Sequence, residues 1–175
     1  MPQCDRRSSL KGKRLTAMAL LTAVALIMFT VEAQIPPPVP IPGVKLGLAN
    51  IITVYAMFSL GPRDTLLILL ARVVLGSMFS SAAITLIYSL SGGLLCYLAM
   101  LLLRKLLTLR QIWVCGVIGA IFHNVGQTLA AICIYQSLSV AVYFPLLVIS
   151  GVVTGLFTGL CAQFLVQRLR GQNRK

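Results

Sequence analysis

Six apolar runs punctuated by short polar stretches make up most of this chain. They cover Leu15–Val31, Leu46–Leu60, Thr65–Phe79, Ala83–Leu103, Ile112–Tyr135 and Val140–Val166. A helix needs about 20 residues to cross about 30 Å of hydrocarbon. The first, fourth, fifth and sixth runs reach or approach that length. The second and third are short and are joined by the GPRD turn, Gly61–Asp64. They form either two short, partly sunken helices or one re-entrant hairpin, and both arrangements leave the parity of the chain unchanged. The pattern predicts an all-α polytopic membrane protein with a six-helix transmembrane domain over residues 15–168. A basic arm (1–14) precedes it and a basic tail (169–175) follows.

Composition narrows the class. The 175 residues are 58% hydrophobic and 10% charged, with mean hydropathy +0.95. A soluble domain covers its surface with polar groups, and this chain has too few. Four of the five cysteines, Cys96, Cys115, Cys133 and Cys161, lie inside apolar runs, where a free thiol behaves as a small hydrophobe. Cys4 is in the arm. No CxxC pair occurs, so neither a disulfide framework nor a zinc site is supported.

The net charge of +12 carries topology before it carries partners. The arm holds Arg6, Arg7, Lys11, Lys13 and Arg14, and the second turn holds Arg63. Arg104, Lys105 and Arg110 lie between the fourth and fifth runs, and Arg168, Arg170, Arg174 and Lys175 close the chain. With six helices all four regions fall on one side, and Lys45 alone among the loop cations falls on the other. Cytoplasmic loops carry the excess of Lys and Arg, so both termini are expected in the cytoplasm of a cell membrane. No basic and aromatic stripe points to nucleic acid. The RRSSLKGKR start, an apolar run and VEA before Gln34 also fit a cleaved signal. The charge parity favours a retained first helix.

Small residues recur at helical spacing. Gly151, Gly155 and Gly159 repeat at i+4 in the last run, as do Ala19 and Ala23 in the first. Such stripes let helices approach closely. Internal packing is the expected use in the last helix. On the first, a partner protein is a second use.

Between the first two runs, Pro36, Pro37, Pro38, Pro40 and Pro42 are followed by Gly43. Proline fixes φ and lacks an N–H, so this stretch cannot be helical, and its spacing favours an extended polyproline path. Lipid would leave that backbone unsatisfied. The loop, residues 35–45, is therefore expected outside, above the bundle. It serves either as a stiff gate over an outward-facing pocket or as a rigid linker between two helices.

Ionisable groups at membrane depth are costly and usually have a partner or a task. Glu32 ends the first helix, Arg72 lies midway in the third run, and His123, Asn124 and Gln127 share HNVGQ in the fifth. Spacings of i+3 and i+4 allow those three to share one helix face, which should look inward. Arg72 keeps its proton and needs a carboxylate, backbone carbonyls or an anionic ligand, or it must snorkel towards the surface. Glu32 is sterically able to pair with it. The pocket candidates are Lys45, Asn50, Arg72, His123, Asn124 and Gln127, and an anionic or polar solute suits them. The competing reading makes the same groups internal structural contacts.

Enzyme signatures are absent. There is no phosphate-binding glycine loop, HExxH or nucleophile elbow, and three scattered acids cannot supply paired carboxylates for metal-dependent diphosphate chemistry. No cofactor or metal site is indicated. Powered transport would require an energy source this chain does not encode.

The segments LTAMALLTAVAL, IPPPVPIPGVKLGLANI, RVVLGSMF, YSLSGGLL and HNVGQ closely resemble the bacterial Gx transporter family, also called heptaprenyl diphosphate synthase component I. The resemblance runs from Leu15 to about Arg168. That family looks like a relative of the substrate-binding S components of energy-coupling-factor (ECF) transporters. The resemblance implies a six-helix bundle with an extracellular gating loop. It also implies that Ala19 and Ala23 contact a transmembrane coupling protein, and that two separate ATPases supply energy. Prenyl diphosphate synthases bind their substrate through aspartate-rich motifs such as DDxxD. This chain has none, so a place in such an enzyme would be that of an accessory membrane subunit.

Overall fold

A computed structural model describes residues 3–35, 47–79 and 83–172. Side chains are described for 12–35, 47–79 and 84–169. The proline-rich gate, Pro36 to Gly43, and Lys45 lie outside the described residues. Among the described residues the architecture is all-α, with six helices: α1 Gln3–Ala33, α2 Asn50–Ser59, α3 Pro62–Phe79, α4 Ala83–Leu103, α5 Ile112–Tyr135 and α6 Phe144–Gln172. A short 3-10 helix, Leu138–Tyr143, precedes α6. Four stretches are long and apolar enough to cross a membrane: Gly12–Ala33, Ile84–Leu103, Ile112–Tyr135 and Leu138–Leu169.

Local chemistry sets the boundaries. Gly61 adopts φ +106, a left-handed conformation that L side chains rarely adopt. The Leu60 and Gly61 amides both donate to the Ala56 carbonyl and close α2. Pro62 then opens α3, where its missing N–H costs nothing because the first turn has no partner for it. At the end of α5 the chain turns through Gln136, with φ +50. Pro145 sits in the first turn of α6, which explains why the last apolar run divides into a 3-10 turn and a helix.

The second run contracts to ten residues of helix, about 15 Å at 1.5 Å per residue, half of a hydrocarbon core. Its position accounts for its composition. α2 touches all five other helices, and seven of its ten residues are buried. A helix apolar on every face belongs inside a bundle. Val54, Met57 and Phe58 join Leu69 and Val73 of α3, Cys96 and Met100 of α4, and Val166 of α6 in one core cluster. α1 is peripheral, packing mainly on α3.

α5 and α6 meet along the glycine stripe. A Cβ on Gly155 would lie 2.7 Å from Val117 Cα, and one on Gly159 would lie 2.7 Å from the Trp113 carbonyl oxygen. Gly151 instead faces a side chain, the Asn124 amide. At Gly155 and Gly159 glycine is required because backbone approaches backbone, and the stripe's use is internal packing.

Polar contacts gather the basic regions at one end. Arg14 Nε and Nη2 each donate to the Asp64 carboxylate at 2.6 Å, tying α1 to the α2–α3 turn. Tyr97 Oη donates to the Pro62 carbonyl at 3.2 Å, placing the second half of α4 there too. The Trp113 N–H donates to Gln163 Oε1 at 3.3 Å, and Gln167 Nε2 to the Leu109 carbonyl at 3.2 Å. The end of α6 therefore stands beside the α4–α5 loop. Arg14, Arg63, Arg104, Lys105, Arg110 and Arg168 share this end, and Arg72 is the one described basic residue away from it.

Candidate functional site

Five segments converge in the other half of the bundle around a small cavity. Its lining includes Glu32 of α1, Gly47, Arg72 of α3, Ser89 of α4, and His123 and Gln127 of α5. Phe29 and Val73 add apolar wall. The volume is about 10 Å³, on a measure in which a single water needs about 10–15 Å³. In this conformation the space is water-sized. Glu32, Asn50, Arg72, His123 and Gln127 are each no more than 5% exposed.

Glu32 anchors the chain as it returns from the proline-rich stretch. Its carboxylate accepts the backbone N–H of Gly47 and, at 3.0 Å, that of Leu48. Gly47 has φ +83, and a Cβ there would sit 2.8 Å from Asn50 Nδ2 and 3.4 Å from His123 Cδ2. Both the conformation and the space call for glycine. The Gly47 carbonyl in turn accepts the Asn50 N–H at 2.9 Å, starting α2 directly beneath.

Arg72 reaches Asn50, with Nη2 donating to Oδ1 at 3.3 Å. Arg72 Nε, Asn50 Nδ2, His123 Nδ1 and Gln127 Oε1 are buried without a hydrogen-bond partner. Each such group costs free energy of about 1–3 kcal/mol unless a partner reaches it. Arg72 and Glu32 line the same cavity, but Glu32 does not hydrogen-bond the open Nε. The carboxylate's amide contacts went unanticipated because residue types do not reveal where backbone donors return.

HNVGQ divides between two tasks. His123 and Gln127 face the cavity, whereas Asn124 Nδ2 donates to the Leu147 carbonyl of α6 at 2.6 Å. Asn124 thus tethers α5 to α6 and does not line the cavity. Gly92 permits the His123 placement: a Cβ there would lie 2.9 Å from His123 Nδ1 and Cε1. Phe29, Val73, Ser89 and Gly92 were not singled out as site residues by sequence.

Ala19 and Ala23 are exposed and line an open apolar groove of about 490 Å³ between α1 and α3, with Met18, Leu67, Ala71 and Leu75. Among the described residues no group of three or more His, Cys, Asp or Glu side chains could hold a metal ion.

No curated protein matches the chain, and no solved structure does. One family model aligns over residues 21–165, which takes in α2 to α5 whole, the cavity-lining part of α1 and most of α6. This chain belongs to the heptaprenyl diphosphate synthase component I family.

Proposed function

We propose that the protein is the membrane-embedded substrate-binding subunit of a bacterial small-solute uptake transporter, similar in role to an ECF S component and energised by a separate ATPase module. The observation that carries this reading is the buried polar cavity. Charged, imidazole and amide side chains from several helices surround it, and three of the lining polar atoms, Arg72 Nε, His123 Nδ1 and Gln127 Oε1, lack hydrogen-bond partners. A purely structural core would be expected to satisfy such groups. The cavity lies away from the basic end, so the positive-inside rule puts it in the outward half with both termini cytoplasmic.

In this reading Arg72, Asn50, His123 and Gln127 contact the solute, and Lys45 is a further solute-binding residue. Glu32 provides counter-charge to Arg72 and holds the return of the gating loop, Pro36 to Gly43. Asn124 supports the site from behind. The water-sized cavity corresponds to a closed state, and the lining separates to admit solute. Ala19 and Ala23 meet the coupling protein.

A second reading rests on the family's description. It makes the protein a non-catalytic membrane accessory to heptaprenyl diphosphate synthesis. Purification of the tagged protein in mild detergent separates the two. Co-purification of a coupling subunit with two ATPases supports transport. A soluble prenyltransferase subunit in their place supports the accessory role and overturns the first reading.

A further inference from the structure

We infer that the cavity takes a small monocarboxylate, gripped by the Nε–Nη2 edge of Arg72. The inference rests on the solute-binding reading and deepens it. The protein contains its own example of what this edge accepts. At the basic end, Arg14 presents Nε and Nη2 to the two oxygens of Asp64, both at 2.6 Å. In the cavity the same edge of Arg72 is half used: Nη2 makes a long 3.3 Å contact with Asn50 Oδ1, and Nε has no partner. A guanidinium fork matches a carboxylate in both spacing and charge.

Asn50 supplies a second donor. Its Oδ1 faces Arg72, which leaves Nδ2 as an unpartnered N–H group beside Gly47. A bound carboxylate would accept from the Arg72 Nε–Nη2 edge and from Asn50 Nδ2, on side chains that are each at least nine-tenths buried. With the Glu32 charge met by the Gly47 and Leu48 amides, the one guanidinium answers at most one negative charge on a ligand. Arg72 is the single cation among the described lining residues, and Glu32 already lies in the same wall. A diphosphate would bring two or more further negative charges to one guanidinium in a site of low dielectric. A cation would be repelled by the Arg72 guanidinium, although Gln127 Oε1 in the same wall is an acceptor. Phe29 and Val73 suit a compact apolar body behind the head group.

The test uses the purified full-length protein in detergent at constant ionic strength. Its thermal midpoint is followed against linear monocarboxylates from acetate to octanoate, inorganic pyrophosphate and methylammonium. At least one monocarboxylate should raise the midpoint saturably, with no effect of pyrophosphate or methylammonium. R72K keeps the charge and loses the fork, and should weaken that binding by about tenfold or more. R14K, at the other end, should leave it unchanged. The inference is overturned if no monocarboxylate binds, if pyrophosphate or methylammonium stabilises equally, or if R72K binds as tightly as the parent. A solute that copurifies but carries no carboxylate overturns this inference and leaves solute binding standing. A protein that retains no solute and binds none of these compounds overturns both.

Discussion

Arg14 and Asp64, fifty residues apart, meet in a two-pronged ion pair that fixes the N-terminal part of α1 to the α2–α3 turn. Asp64 is buried and Arg14 is largely exposed, so the acid is held by a cation reaching from solvent. The pair defines which turn shares an end with the basic arm. The proposed topology rests on that placement. Reporters placed at Arg110 and Ser137 should lie on opposite sides of the membrane, with the Arg110 reporter cytoplasmic. Both on one side would contradict the helix parity. Asp64→Ala should lower the thermal midpoint of the solubilised protein by a few degrees, and much less than that would mean the pair contributes little.

The α5–α6 contact should tolerate no added side chain. Gly159→Ala pushes a methyl into the Trp113 backbone, and overpacking of this kind costs about 1–3 kcal/mol. Gly12→Ala is the matched control, since nothing lies within 4 Å of its would-be Cβ. Monodispersity after heating, measured by fluorescence-detected gel filtration, should fall for G159A and hold for G12A.

Glu32 should act as the clamp on the chain returning to α2. Glu32→Ala removes the acceptor of the Gly47 and Leu48 amides. Hydrogen exchange in a peptide spanning 47–50 should quicken by about tenfold or more, reflecting the loss of charged acceptor bonds of about 1.5–3 kcal/mol each. Unchanged exchange would show that other contacts hold this segment.

Two neighbours in HNVGQ should separate in their effects. Asn124→Ala leaves α6 without its tether and should lower stability by about 1–3 kcal/mol with little change in solute affinity. His123→Ala should weaken solute binding more than it lowers expression. If both variants lose binding and expression in equal measure, His123 is structural as well.

Much of this arrangement was legible beforehand. The bounds of α4 and α5 coincide with the apolar runs Ala83–Leu103 and Ile112–Tyr135, because polar residues bound both runs in the sequence. The second and third runs were readable as short, but not as a central buried helix and its partner, since their residues are apolar whichever neighbours surround them. Glu32, Arg72, His123 and Gln127 were found through the cost of polar groups at membrane depth, and they do come together. The division between His123 and Asn124 was hidden. Consecutive residues stand about 100° apart on a helix, and only the position of α6 decides which one it receives. The Glu32 contacts were hidden for another reason: their donors are backbone amides brought close by a left-handed glycine.

The central claim is that the buried polar cavity binds a small solute through Arg72. Native mass spectrometry of gently extracted protein tests it most directly. The account predicts a retained small molecule on the parent protein and on R14K, lost from folded R72K and R72Q. A parent protein that carries no solute from cells or rich medium, or one whose bound molecule persists undiminished in R72Q, would contradict it.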